Sequence, residues 1–414
     1  MYARRHARIR TGLLIVLVWV SLHGCAAEGQ WRRALEAGDQ AMREGRWDEA
    51  QQALFKAQQQ ALQLEPDHDG PYMAASVDRL CHFFYRRGRY AEAEEQCRRG
   101  LEIREQRVGL SHPDTATSLT HLANVLQVQQ QYVQAEGLLK RVLMIRTEVL
   151  GAGNPDTANT WVQLGDLYRE TGKSDLARDA YQRALAPLEK MLGSEHPRVA
   201  DVLNMVGEMH LAVAAYDQAR PSLQRALTIR EKALGPNHLA VASTLNNFGM
   251  VLMAEGQYES AESVHQRVLE IVEFHKGTQD PAVAASLSNL ARVYELQGLY
   301  SKSELLHRQA LDIREKALGA SHPQVARTLS SLADVVVAEG RLAEAQDQYK
   351  RAIRIYESAK GQYQAAHAKT LKNYAALLKR RQQPEEAARL EQQASALLAQ
   401  IGKNPADKVA AGPE

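Results

Sequence analysis

Small and apolar residues recur along this chain at spacings of three, four and seven, and the whole pattern returns every 42 residues. The segment GLSHPDTATSL starts at Gly109, and related segments start at Gly151, Gly193, Gly235, Gly277, Gly319 and Gly361 without insertion. An earlier copy lacking that glycine begins near Gly70-Pro71. A column of small residues runs through Cys81, Ala123, Gly165, Gly207, Gly249, Ala291, Ala333 and Ala375. Another runs through Ala93, Ala135, Ala177, Ala219, Ala261, Ser303, Ala345 and Ala387. Between them lies a turn column, Gly88, Gly172, Gly256, Gly298 and Gly340. Spacings of three, four and seven belong to helices with one buried face, so each unit reads as a helix A of about 17 residues, a turn, and a helix B of about 18.

The other columns fit this reading. Proline after the His-Pro loop suits the first turn of helix A, where its missing N–H is not needed. Glycine at the end of helix B suits a left-handed C′ residue. Small residues at the A–B crossing let two backbones approach, and a larger side chain there overpacks at about 1–3 kcal/mol. Pro187 and Pro221 fall inside B helices, and Leu211 to Ala215 replaces the glycine turn with LAVAA. An interior proline costs about 3 kcal/mol, so a kink or change of curvature is expected around Pro187–Pro221.

These columns resemble tetratricopeptide repeats, in the 42-residue form of kinesin light chains. The clearest copies are Leu287–Gly319 and Gly319–Tyr349, and the likeness extends from Gly70 to Leu398. Trp31 to Leu64 reads as a diverged first hairpin that turns at Gly45-Arg46-Trp47 and packs through Ala50 and Ala57. The expected organisation is a diverged hairpin over 31–68, eight tandem repeats over 69–401 and a disordered tail over 402–414. The resemblance implies an all-α, right-handed superhelical solenoid of nine hairpins, with an extended concave groove.

The first 24 residues read as an export signal, and 25–30 as a linker. MYARRHARIR is basic, and no charged residue occurs from Thr11 to Ala27. That stretch is shorter than the roughly 20 apolar residues of a spanning helix and matches a secretory signal. The alternative is an uncleaved anchor. The ending Leu22-His23-Gly24-Cys25 resembles a bacterial lipobox, which implies cleavage before Cys25 and lipidation of its thiol. Ala26 after the cysteine implies, by the same resemblance, an outer-membrane lipoprotein facing the periplasm. Beyond the first ten residues 47 basic side chains face 49 acidic ones, which argues against a nucleic-acid partner.

Few residues suggest chemistry. No P-loop, nucleophile elbow, CxxC or HExxH occurs, so neither catalytic residues nor a cofactor is expected. His112, His196, His238 and His322 share one loop column, too far apart for a common zinc ion, so they read as loop structure and no metal is expected. Cys81 on helix A faces Cys97 on helix B of the same hairpin; they either form a disulfide or remain two buried thiols.

In the resembled family, residues two and six before the small A-helix position point into the groove. Here those columns read Arg79, His121, Gln163, Met205, Asn247, Asn289, Ser331, Asn373 and Ala75, Thr117, Asn159, Asp201, Ser243, Ala285, Arg327, Lys369. Arg79, His121, Gln163, Asn247, Asn289, Arg327, Lys369 and Asn373 are the partner-binding candidates. Arg327, Lys369 and Asn373 are expected to hold a carboxylate of a bound protein or peptide. The chain is therefore expected to be a non-catalytic, lipid-anchored scaffold, within an envelope assembly or export machine. The alternatives are an accessory subunit or hydrolase with a cryptic site, and a self-associating oligomer.

Overall fold

The computed structural model describes residues 26–65, 67, 69–359 and 363–401; the export segment, Cys25 and the tail from 402 lie outside them. Among the described residues the chain is all-α, with no strand, and its helices form the tandem hairpins of an α-solenoid. It divides into two compact units, Met1–Leu164 and Gly165–Glu414. The first holds α1 (26–43), α2 (Trp47–Leu64), α3 (Pro71–Arg86), α4 (Tyr90–Val108), α5 (Pro113–Val128), α6 (Tyr132–Leu150) and most of α7 (Pro155–Glu170). The second holds the end of α7, then α8 (Ser174–Leu192), α9 (Pro197–Ala212), α10 (Tyr216–Leu234), α11 (Leu239–Ala254) and α12 (Tyr258–Lys276). It continues with α13 (Pro281–Leu296), α14 (Tyr300–Leu318), α15 (Pro323–Ala338), α16 (Leu342–Ser358), α17 (Gln364–Arg380) and α18 (Pro384–Ile401). Odd-numbered helices are the A helices and even-numbered ones the B helices. The expected linker over 25–30 is helical from residue 26, because Ala26 and Ala27 favour helix and Glu28 pairs with Arg32 one turn on, at 3.0 Å.

The hairpin is held by a close contact between the small A-helix column and a large B-helix residue 16 positions later. A Cβ added to Gly165, Gly207 or Gly249 would lie 2.5 Å from Tyr181, Leu223 or His265 respectively. Cys81 and Cys97 occupy this same pair of columns and are joined covalently, with Cα atoms 5.3 Å apart. Where the large residue is tyrosine, the A helix supplies an aspartate directly after its small residue. Tyr181 Oη donates to Asp166 at 2.8 Å, and Tyr349 Oη donates to Asp334. Both tyrosine rings are buried, so the pairing satisfies hydroxyls that would otherwise cost about 1–3 kcal/mol each.

Both helix termini follow from local chemistry. Most of the A helices, α5, α7, α9, α11, α13 and α15, begin on a side-chain cap. His112, His196, His238 and His322 accept through Nδ1 from the backbone N–H two residues on, at 3.1–3.2 Å. Asp280 does the same with a carboxylate oxygen at 2.8 Å. The loop histidines are thus N-caps. A helices end in a six-to-one backbone bond, such as Arg89 N–H to Phe84 O at 2.9 Å, around one residue of positive φ. That residue is Gly88, Gly172, Gly256, Gly298 or Gly340 in most copies, but Gln130, Ala214 and Gln382 in the others, with φ of 61°, 55° and 61°. The LAVAA segment keeps the same turn as its glycine-bearing neighbours.

One expectation is corrected here. The glycine that ends helix B has positive φ but ψ near 150–170°, as at Gly109 (93°, 169°) and Gly319 (87°, 150°). The left-handed C′ residue therefore belongs to helix A, and the B-helix glycine leads the chain out extended, in a region open to little but glycine. Pro187 and Pro221 lie inside α8 and α10, and each helix continues through its proline.

Ala214 is exposed, so its left-handed conformation brings strain and no packing in return. Ala214→Gly should stabilise the protein by about 1 kcal/mol in denaturant unfolding. Gly256→Ala, at the same place in the next hairpin, should destabilise it by a similar amount.

Candidate binding face

Within each unit, A helices of successive hairpins approach one another, as in α3 with α5, α9 with α11, and α15 with α17. The face they share is polar, and its side chains bond from one hairpin to the next. In the first unit Arg79 Nε donates to Asp39 at 3.1 Å, and Gln163 donates to Asn124 at 3.3 Å. In the second, Asn247 Nδ2 donates to Asn204 at 3.2 Å and to Glu208 at 3.0 Å, and Asn289 donates to Asn246 at 3.3 Å. Asn373 Nδ2 donates to both oxygens of Asp334, each at 3.0 Å. The donors sit two residues before the small column, and most acceptors sit one after it in the preceding hairpin. Such bonds fix the spacing of neighbouring repeats.

The eight candidate residues differ in their surroundings. Arg79, Gln163, Asn247, Asn289 and Asn373 are engaged between repeats. His121 is half-buried, and burial lowers its pKa, which keeps it neutral. Arg327 and Lys369 are exposed on consecutive A helices, α15 and α17. Asn373 binds Asp334, and the charge of Lys369 acts on the same carboxylate. Burial raises the Asp334 pKa, while the hydrogen bonds from Tyr349 and Asn373 act the other way.

A second set of polar residues escaped the sequence reading. Arg104, Arg146, Arg230 and Arg314 share one B-helix column, and each donates to a hydroxyl 14 residues on: Ser118, Thr160, Thr244 and Thr328. That constant separation was the available signal. Asp78 completes Arg104, and Asp201 completes Arg230 at 2.9 Å. Among the described residues, no group of three or more His, Cys, Asp or Glu could hold a metal ion. No described helix is long and apolar enough to cross a membrane.

A tetratricopeptide-repeat profile matches residues 72–127, 114–190, 198–273, 241–316, 282–358 and 324–400. The chain belongs to the tetratricopeptide repeat family. No curated protein matches the sequence at a significant level. Among solved structures, the quorum sensor NprR of B. thuringiensis in its apo form is 12% identical, with 90% of this chain and 98% of that one covered and a TM-score of 0.63. A Rap protein complexed with Competence and Sporulation Factor is 13% identical, covering 92% of this chain and 99% of that one, with a TM-score of 0.51. TPR-like repeats from a kinesin light chain candidate of Podosopora anserina are 21% identical over 51% of this chain and all of that one, with a TM-score of 0.42. At these identities the likeness concerns the fold.

One titratable group in this family frame stands apart. His265 is fully buried against Gly249, and neither ring nitrogen has a hydrogen-bond partner among the described residues. Burial lowers its pKa from 6.5 to about 4. The unfolded chain takes up this proton first as pH falls, so the stability it contributes is present above pH 6.5 and is lost progressively towards pH 4. Leu223 against Gly207 shows that leucine fits the same contact. His265→Leu should raise stability by about 1–3 kcal/mol at neutral pH. It should also flatten the loss between pH 6.5 and 4 by one proton, read from urea midpoints across that range.

Proposed function

We propose that this protein is a non-catalytic scaffold that holds a peptide segment or a partner protein along the A-helix face of its repeats. The observation carrying this reading is the pair of exposed cations, Arg327 and Lys369, on consecutive A helices whose neighbouring polar groups bond between repeats. The interior of a folded unit gives no reason for such a face to be polar unless it meets water or a ligand. The Rap structure, which shares the fold, holds Competence and Sporulation Factor, and this supports a groove ligand here. Exposed charge pairs contribute only about 0–1 kcal/mol each, so affinity comes from several contacts together.

The reading extends to the cell envelope. The basic and apolar first 24 residues and Cys25 support a lipid-anchored protein of the outer membrane, facing the periplasm. The Cys81–Cys97 bridge supports an oxidising compartment. Two or more acyl chains on Cys25 would hold the scaffold stably, at about 0.8 kcal/mol per buried methylene.

Two experiments test the two halves. Arg327→Ala with Lys369→Ala should reduce recovery of the native partner from envelope extract at least tenfold while helical content is unchanged. Full recovery would refute the groove assignment. In cells fed a clickable palmitate, the wild type should be labelled and Cys25→Ser should not. Equal labelling would refute the anchor.

A further inference from the structure

The loop that joins α4 to α5 differs from its counterparts in displaying a large apolar side chain. Leu110 follows the glycine that ends helix B, where the next five repeats carry Ala152, Ser194, Pro236, Thr278 and Ala320. It is 62% exposed. Val149, in the last turn of α6, is 49% exposed. Its column holds Arg107, Ala233, His275 and Ala317 in other repeats, with Met191 the other large apolar residue. Leu110, Val149 and Val108 line one open groove, together with His112 and Pro113. The loop backbone is fixed, because Arg141 of α6 donates through Nη2 to the Leu110 carbonyl at 3.1 Å. Apolar side chains gathered at one exposed place mark a contact with another apolar surface.

The direction of α1 decides which surface that is. Trp31 of α1 meets Tyr72 of α3 with ring centroids 4.8 Å apart and donates to Ser76 at 3.0 Å, while further along both helices Asp39 accepts from Arg79. The two helices are therefore parallel, and α1 begins at the same edge of the first unit as α3 and α5. That edge is continuous, since Arg107 at the end of α4 donates to the Asp69 carbonyl in the loop before α3, at 3.3 Å. Neighbouring helices pack 8–10 Å apart, so the start of α1 lies about 20 Å from the start of α5. Cys25 directly precedes the first residue of α1, a step of about 3.8 Å between Cα atoms. Acyl chains on Cys25 would thus bring this edge to a bilayer with no linker between. Charge does not draw it there. Glu28, Asp67, Asp69 and Asp114 outnumber Arg107, which itself lies 3.8 Å from Asp69. The contact has to be made by apolar side chains.

We propose that the edge formed by the start of α1 and the α4–α5 loop rests on the lipid bilayer, with Leu110 and Val149 entering its interfacial layer as a second foothold beside the acyl chains of Cys25. The proposal rests on the reading of Cys25 as the lipidated terminus. An acyl anchor alone holds a protein at the surface and leaves it free to tilt, whereas a second apolar contact at a distance from the anchor fixes the tilt. The A helices of the first unit then rise from the membrane, and the face they share is reached from the side.

The test uses the chain matured in cells, purified with its acyl chains and reconstituted into phosphatidylcholine vesicles that contain a doxyl-labelled lipid as quencher. A nitrobenzoxadiazole fluorophore is placed on Ser111→Cys, in the exposed α4–α5 loop, or on Asp48→Cys, exposed at the opposite edge in the first turn of α2. Quenching at Ser111→Cys should exceed that at Asp48→Cys at least threefold. Adding Leu110→Ser and Val149→Ser should lower it to the Asp48→Cys level with helical content unchanged. It should persist in salt of about 1 M, which screens charge beyond about 3 Å. Equal quenching at the two sites of vesicle-bound protein, quenching that survives the two serine substitutions, or quenching lost in salt overturns the apolar foothold and leaves the anchor standing. Protein that carries no acyl chain and does not float with the vesicles overturns both.

Discussion

The repeat depends on one contact, the approach of helix A to helix B at a small residue. In all but the last hairpin the position 16 later on the B helix carries the filler, and its chemistry varies while its place does not: Tyr181 and Leu223 against glycines, Tyr349 against Ala333, a disulfide at Cys81 and Cys97. Because the A backbone has no side chain to yield at Gly165 or Gly207, the filler sets the distance between the two helices. Everything on the inner face is then positioned relative to that distance. Asp166 and Asp334 follow the small column by one residue, and are therefore within reach of the tyrosine hydroxyls. Asp334 is also the acceptor for Asn373, so one carboxylate links the packing of a hairpin to the spacing between hairpins.

This linkage shapes what the face can bind. Residues that bond between repeats are rigid and already satisfied, so they present a defined surface without offering spare donors. The exposed cations of this face, Arg327 and Lys369, stand in a column that carries Ala75, Ser243 and Ala285 in other hairpins. A solenoid in which each repeat contacts only its neighbours can vary one hairpin in this way without disturbing the rest. The same independence explains how His265 persists with unpartnered nitrogens in one hairpin while His307, in the next, bonds Glu295 at 2.8 Å.

Most of the architecture was legible because a 42-residue period states each constraint many times. The hairpins, the small columns and the role of the loop histidines as loop structure all followed from position in the period. What escaped was information that a period does not carry. The face of Asn247, Asn289 and Asn373 was readable, but the acceptors Glu208, Asn246 and Asp334 come from the preceding hairpin, and reaching them requires the angle between repeats. The turns at Gln130 and Ala214 were hidden because the fold imposes a left-handed conformation on residues that do not advertise it. The exit from helix B was assigned to the wrong kind of glycine conformation, since sequence reports that φ is positive but not what ψ is. The tyrosine–aspartate pairs and the arginine–hydroxyl pairs were readable as fixed separations of 15 and 14 residues, and are the clearest signals that went unused.

The central claim is that the small A-helix residue and the B-helix filler form one coupled contact. A double-mutant cycle on Gly207 and Leu223 tests it most directly. Gly207→Ala places a Cβ 2.5 Å from Leu223 and should destabilise the protein by about 1–3 kcal/mol in urea unfolding. Leu223→Ala should cost about 2–5 kcal/mol through the cavity it leaves. Together they should cost less than the sum by at least about 1 kcal/mol, because each relieves the other's defect. Strict additivity would contradict the account, since it would mean that the two helices settle their separation elsewhere.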